Sequence, residues 1–69
     1  MKSVYPNLDS LMEERGIDYP ALAAAVGMGD TTMYRRLKGT SDWKLHEISK
    51  MCEYFGNSDV KWMFTRIPF

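Results

Sequence analysis

The 69-residue chain has few of the residues from which catalytic and metal sites are built. Its one cysteine, Cys52, rules out an intramolecular disulfide, and its one histidine, His46, makes no Cys/His set with metal-ligand spacing. Cys52 falls on an apolar helical stripe, where we expect a small buried hydrophobe and not a reactive thiol. His46 has no evident nucleophile at a supporting position. We therefore expect no enzyme, cofactor, metal or small-molecule ligand.

Long apolar runs and strand patterns are missing too. No stretch approaches the roughly 18 apolar residues that span a membrane, and the N-terminus MKSVYPNLDS has no apolar signal core. These two features predict a cytoplasmic protein. No stretch alternates with period two between hairpin turns, so we expect no substantial sheet. The length and the 45% hydrophobic fraction predict one packed domain over residues 1–69.

The chain also lacks net charge, with nine basic and nine acidic residues, which by itself counts against binding to nucleic acid. The charges are unevenly distributed, however. Residues 9–18 contain four acidic side chains against one basic, whereas residues 30–50 contain five basic against three acidic. The basic part of the chain coincides with the segment that we consider next.

The segment Leu22–Gly39, LAAAVGMGDTTMYRRLKG, predicts a helix, a tight Gly-Met-Gly turn and a second helix. In the second helix, Met33 and Leu37 are expected to face inward. The residues expected on its free side are Thr31, Arg35 and Lys38, flanked by Thr32 and Tyr34. Hydroxyls and cations on a free helix face favour DNA binding. The alternatives are an ordinary interhelical loop and a solvated polar face.

Stop and start signals extend this pair to an all-α chain of five helices. Helix caps are expected at Asn7, Asp18, Ser58 and Asp59, and helix stops at Gly16, Gly27, Gly39 and Gly56. The third helix is expected over Asp30–Lys38 and the fourth from about Leu45 to Phe55. We expect Leu45, Val60 and Met63 to contribute to the core, with Trp43 as an anchoring aromatic.

The second helix of the pair carries side chains that can read bases. Thr31 and Thr32 can donate or accept a hydrogen bond or offer a methyl group to thymine, and Arg35 can bind guanine through two hydrogen bonds. Asp30 would be repelled by phosphates unless it accepts from a cytosine amino group or caps the helix. Arg36 and Lys38 are expected to bind phosphates, which supply affinity without sequence information.

These residues together resemble the lambda-repressor/Cro-like helix-turn-helix family over about Asn7 to Phe64. The resemblance is carried by LMEERGI, LAAAVGM, GDTTMYRRLKG, LHEISKMCEYFG and SDVKWMF, and the WKLHEI run is similar to small phage and prophage Cro-like regulators. It implies a compact five-helix domain with the helix-turn-helix formed by helices 2 and 3. It also implies a transcriptional regulator, a repressor that occupies a double-stranded DNA operator through the major groove. The alternative is a helix-turn-helix protein-interaction module with weak or no DNA binding.

The resemblance also implies roles for single residues. It places a phosphate contact at Tyr19, where glutamine is more usual, and another at Lys38. The base-contacting set is expected to be Asp30, Thr31, Thr32, Arg35 and Ser41, and the phosphate-contacting set Tyr19, Tyr34, Arg36, Lys38 and Lys44. Two residues depart from the family pattern: Asp30 carries a negative charge, and Gly29 replaces the usual hydroxyl cap.

Proteins of this kind bind pseudo-palindromic operators as dimers, with recognition helices about 34 Å apart. The candidate homodimer surface is the C-terminal set Trp62, Phe64, Ile67 and Phe69. The alternative is a tail that folds back and completes the core. No second domain is evident, so the resemblance implies either a stand-alone Cro-like protein or an excised N-terminal domain.

Overall fold

The computed structural model describes residues 2–67, and over these residues the chain forms five helices and no strand. The helices are α1 (Pro6–Arg15), α2 (Tyr19–Ala25), α3 (Asp30–Lys38), α4 (Leu45–Phe55) and α5 (Val60–Met63). The all-α prediction is confirmed, and the observed bounds of α3 and α4 are the expected ones. Within the described residues, none of these helices has the length and apolar character needed to cross a membrane.

The helix-turn-helix is built on side chains that are completely buried. Leu22 and Ala23 of α2 lie against Met33 and Leu37 of α3, and all four are fully buried. The small Ala23 allows the two helices to approach closely, and its carbonyl accepts a 2.8 Å hydrogen bond from the Met28 amide in the turn. The expected inward face of α3 is thereby confirmed, and α3 has one fixed orientation on α2.

Side-chain caps and local turns place the first two helices. Asp18 caps α2 as expected, because its Oδ1 accepts from the Ala21 amide at 3.0 Å. The N-cap expected at Asn7 is wrong. α1 begins two residues earlier than that cap would place it, at Pro6, with Tyr5 as its N-cap, because proline is well tolerated at a first helical position. Asn7 instead donates from Nδ2 to the Trp62 carbonyl at 2.7 Å and thereby links α1 to α5.

Two residues expected in the core are exposed. Leu45 is 81% exposed, because it is the first residue of α4 and the apolar residues of that helix that reach the core lie in its second half, from Met51 to Phe55. Val60 is 40% exposed, because a one-turn helix turns only one side chain inward, and in α5 that side chain is Met63. The Asp59 cap is confirmed by a 3.2 Å hydrogen bond from the Trp62 amide, whereas Ser58 is not the cap.

An aromatic cluster of Tyr5, Trp43 and Phe64 joins three separate parts of the chain. The ring centroids are 6.2 Å apart for Tyr5 and Trp43, 5.9 Å for Tyr5 and Phe64, and 5.1 Å for Trp43 and Phe64, all with edge-to-face geometry. Trp43 is therefore an anchor, as predicted.

The segment before α1 is also hydrogen-bonded to α3 and to the chain after α5. The Val4 amide donates to the Leu37 carbonyl at 3.0 Å, and the Ile67 amide donates to the Val4 carbonyl at 2.8 Å.

Gly39 at the end of α3 offers a test of this packing. Its φ is +76°, and an added Cβ would lie 3.1 Å from Val4 Cγ2 and meet the Arg66 guanidinium. Gly16 has a similar φ of +64° but no atom within 4 Å of an added Cβ. We expect Gly16→Ala to lower the free energy of unfolding by about 1 kcal/mol, the cost of the left-handed backbone. Gly39→Ala should cost about 1 kcal/mol more, because it also overpacks the Val4 contact. Urea denaturation measures both values, and equal losses would contradict this account of the packing.

Candidate nucleic-acid interface

The exposed side of α3 carries the residues that the sequence proposed for base contacts. Asp30, Thr31 and Arg35 are exposed, and Thr32 is half-buried. Gly27 and Gly29, which precede the helix, are exposed too, so the N-terminal end of α3 is open to solvent. A helix end that projects in this way can enter the major groove and present its first side chains to base edges.

Tyr34 is held on this surface by residues on either side. Its ring centroid lies 5.4 Å from that of Tyr19, the first residue of α2, and the Lys38 Nζ lies 5.7 Å from the Tyr34 ring centroid. The three side chains form a row along one edge of α3, which we call the tyrosine row. Two phenolic hydroxyls and an ammonium group can each donate a hydrogen bond to an anionic oxygen.

Arg36, which the sequence assigned to phosphate binding, is engaged within the protein. Its Nε donates to Glu47 Oε1 at 2.8 Å and its Nη2 donates to Glu47 Oε2 at 3.2 Å. The two side chains are only 11% and 6% exposed. The guanidinium is therefore turned towards α4 and away from the solvent side of α3, because Arg36 lies about 60° from Met33 around the helix, beside the buried stripe.

The same ion pair orders the connection between α3 and α4. Arg36 Nη1 donates to Ser41 Oγ at 2.5 Å, and the Lys44 amide donates to Glu47 Oε1 at 2.8 Å. Ser41 is half-buried, and Lys44 is exposed at the N-cap of α4. Glu47 thereby satisfies a free backbone donor at the start of α4. Its pairing with Arg36 was missed, because the two residues are 11 apart and lie on different helices.

The pairing shifts the ionisation of both groups. The hydrogen bond from Arg36 lowers the pKa of Glu47 below its ordinary value, which outweighs the opposing effect of burial. The hydrogen bond to Glu47 likewise raises the pKa of Arg36. Both groups are therefore charged at neutral pH. Because the positive charge of Arg36 and the negative charge of Glu47 cancel each other, the excess of two positive charges in residues 30–50 is unchanged.

The sequence-predicted dimer residues do not form one exposed cluster. Trp62 is 41% and Ile67 44% exposed, but Phe64 is half-buried in the aromatic cluster with Tyr5 and Trp43. Phe69 lies outside the described residues. In residues 2–67, no group of three or more histidine, cysteine, aspartate or glutamate side chains is arranged to hold a metal ion.

Comparison of the sequence with known protein families gives a match. Residues 7–58 match the family model of the Cro/C1-type helix-turn-helix DNA-binding domain. The family is not enzymatic. The matched residues include α1 from Asn7 onwards, α2 to α4 and the whole connection between α3 and α4. No curated protein and no solved structure matches the chain.

The Arg36–Glu47 ion pair predicts a specific acid sensitivity. At neutral pH, Glu47→Gln should lower the free energy of unfolding by about 2–3 kcal/mol, because it leaves a largely buried guanidinium without its counter-charge. The pKa of Glu47 is lower in the folded protein than in the unfolded chain. Its contribution to the free energy of unfolding is therefore complete above the ordinary glutamate pKa of about 4.3, and it is lost as pH falls through the lower pKa of the folded protein.

The matched control is Glu53→Gln, an exposed residue of the same helix, which should change the free energy of unfolding by less than about 0.5 kcal/mol. Denaturant unfolding of the unaltered protein and the two variants between pH 7 and pH 3 compares their free energies of unfolding. Equal stability of the two variants at pH 7 would contradict a stabilising role for the pair.

Proposed function

Because the chain belongs to the Cro/C1-type helix-turn-helix DNA-binding family, we propose that it regulates transcription by binding a specific double-stranded DNA site through the major groove. The observation that carries the proposal is the open N-terminal end of α3, where Asp30, Thr31 and Arg35 are exposed on a helix fixed from behind by Met33 and Leu37. A rigidly held helix can place these side chains reproducibly against base edges.

Base reading is assigned to the exposed side of α3 and to the connection after it. Arg35 lies opposite the buried stripe and has the two-pronged donor geometry that guanine O6 and N7 accept. Thr31 and Thr32 supply hydroxyl and methyl groups at the end that enters the groove. Ser41 accepts a hydrogen bond from Arg36, so its own hydroxyl proton remains available for donation to a base.

Phosphate binding is assigned to the tyrosine row and to Lys44. Tyr19, Tyr34 and Lys38 lie along one edge of α3, and Lys44 lies at the start of α4 on the other side of the connection. Donor groups beside a recognition helix can bind the phosphates that border the groove and so fix the orientation of the helix on the DNA. We leave Arg36 out of this set, since its guanidinium is bound by Glu47 and Ser41.

We extend the proposal to the biological role that the sequence resemblance implies. The protein would be a Cro-like repressor of a phage or prophage that acts in the bacterial cytoplasm, where it occupies an operator overlapping a promoter and thereby excludes RNA polymerase. Two copies would bind the two halves of the operator. The exposed Trp62 and Ile67 provide the apolar surface on which we base this homodimer.

DNA binding itself is tested by titrating random-sequence duplex DNA at low and moderate salt. We expect affinity to fall steeply as salt rises, because bound phosphates release their counterions. The absence of binding at low salt would overturn the proposal and favour the alternative, a helix-turn-helix module that binds another protein.

The assigned roles predict different effects for Arg35→Ala and Lys38→Ala. Arg35→Ala should cost about 1–3 kcal/mol on the preferred site and relax base preference at one position. Lys38→Ala should weaken binding to all sequences about equally and reduce the slope of log affinity against log salt concentration by about 1.

Lys61→Ala, an equal charge change on α5, serves as the control and should leave both the base preference and this slope nearly unchanged. Binding isotherms on the selected site and on a scrambled duplex at several salt concentrations separate these effects. Equal, sequence-independent losses for the Arg35 and Lys38 variants would show that the recognition face is misplaced.

The homodimer is tested by sedimentation at micromolar concentration. We expect Trp62→Ala and Ile67→Ala to reduce the dimer fraction, because each removes exposed apolar area from the proposed interface. Leu45→Ala is the matched control, since Leu45 is an exposed apolar side chain on a different helix. A monomeric parent protein, or equal effects of all three substitutions, would rule out this dimer surface.

A further inference from the structure

We propose that Asp30 makes this protein select cytosine at the base pair that the first residue of α3 meets. The inference rests on the proposed function, since it concerns the same DNA-reading surface. It adds the identity of one base in the target and assigns the discrimination to a single carboxylate.

The first step is that the Asp30 side chain accepts no hydrogen bond, in contrast to other carboxylates at helix starts. Asp18 accepts from the Ala21 amide, Glu47 from the Lys44 amide and Asp59 from the Trp62 amide. Over residues 2–67, by contrast, the Asp30 side chain makes neither a hydrogen bond nor an ion pair. This acidic side chain in the first turn of α3 suits the helix dipole, but its oxygens accept no hydrogen bond. The N-cap of α3 is Gly29, which has no side chain to offer, so the carboxylate neither caps the helix nor supports a cap.

The second step is that none of the basic residues of α3 pairs with this charge. Helical neighbours lie three and four residues apart, and for Asp30 these are the buried Met33 and Tyr34 of the tyrosine row. Arg36 is paired with Glu47, Lys38 lies over the Tyr34 ring, and Arg35 is five residues further along. Within residues 2–67, the Asp30 side chain is therefore exposed at the open end of the helix and has no ion-pair partner.

The third step compares the four bases. A carboxylate only accepts hydrogen bonds, so it needs a donor from the base to offset repulsion by the phosphates. In the major groove, cytosine presents its N4 amino group as a donor. Adenine presents an N6 donor beside the N7 acceptor, whereas guanine and thymine present acceptors at this edge. Cytosine is therefore the base that best accommodates Asp30, and guanine and thymine are the least favourable.

The experiment is a parallel selection from one pool of random-sequence duplex DNA with the unaltered protein and three variants. Asp30→Asn replaces the acceptor by a side chain that can donate and accept, which is the arrangement that adenine N6 and N7 bind. Asp30→Ala removes the contact altogether. Glu14→Gln on the exposed side of α1 changes the net charge as Asp30→Asn does, away from α3, and serves as the control. Thermal unfolding of each variant checks that the fold is retained.

We expect the unaltered protein and Glu14→Gln to select sites with the same cytosine in each half-site. Replacing that cytosine in a fixed duplex should weaken binding about tenfold, the usual scale of one mismatched base pair. Asp30→Asn should change the selected base to adenine with the other positions unchanged, and Asp30→Ala should leave this position undetermined.

A selected site that is identical for all four proteins would overturn the inference while leaving DNA recognition intact. Binding without any enriched sequence would overturn the inference as well. No binding to the pool at low salt would overturn the proposed function and this inference with it.

Discussion

The arrangement of the proposed DNA-facing surface depends on the contact between Arg36 and Glu47. One carboxylate receives two hydrogen bonds from the guanidinium and a third from the Lys44 amide, and the remaining guanidinium arm donates to Ser41. The end of α3, the connection after it and the start of α4 are thus joined by a single group of side chains. Removing two charges from water is costly. Part of the cost is offset here because Glu47 accepts three hydrogen bonds and each of the three guanidinium nitrogens of Arg36 donates one.

This contact determines which of two adjacent arginines is available for binding. Arg35 and Arg36 have the same chemistry, but they are separated by about 100° around the helix. Arg36 lies beside the buried stripe and reaches Glu47, whereas Arg35 lies on the opposite side and is exposed. One arginine therefore orders the connection that carries Ser41 and Lys44, and the other remains available for a base. A charge count that treats both as equivalent overlooks this division.

Local signals were enough to predict most of the fold. The caps at Asp18 and Asp59 and the turn at Gly16 depend on residues within one helical turn, and all three appear as expected. Periodicity identified the inward face of α3 because Met33 and Leu37 lie in the middle of the element. It was wrong at Leu45 and Val60, each the first residue of its helix. Periodicity gives the direction of a side chain but not how far along the helix the core extends.

The features that the sequence did not predict involve residues that are distant along the chain. Asn7 bonds to the Trp62 carbonyl, and Tyr5 packs on Trp43 and Phe64, so α1 and the residue before it are attached to α5 and the residue after it. The helical angle of Arg36, close to the buried stripe, was a usable signal that its guanidinium would find a partner in the protein. The angle alone does not identify that partner, because the position of α4 over α3 is set by the packing of the whole core.

Asp30 shows how local and distant constraints combine at the binding surface. The sequence left two roles open for this carboxylate, a helix cap or a base contact. The structure provides no capping hydrogen bond for it among the described residues, and its neighbours one helical turn further on, Met33 and Tyr34, carry no charge. The nearest cations of α3 lie further along the helix, where Arg36 is paired with Glu47. In the proposed complex, the hydrogen-bond partner of this carboxylate is therefore a donor group on the DNA.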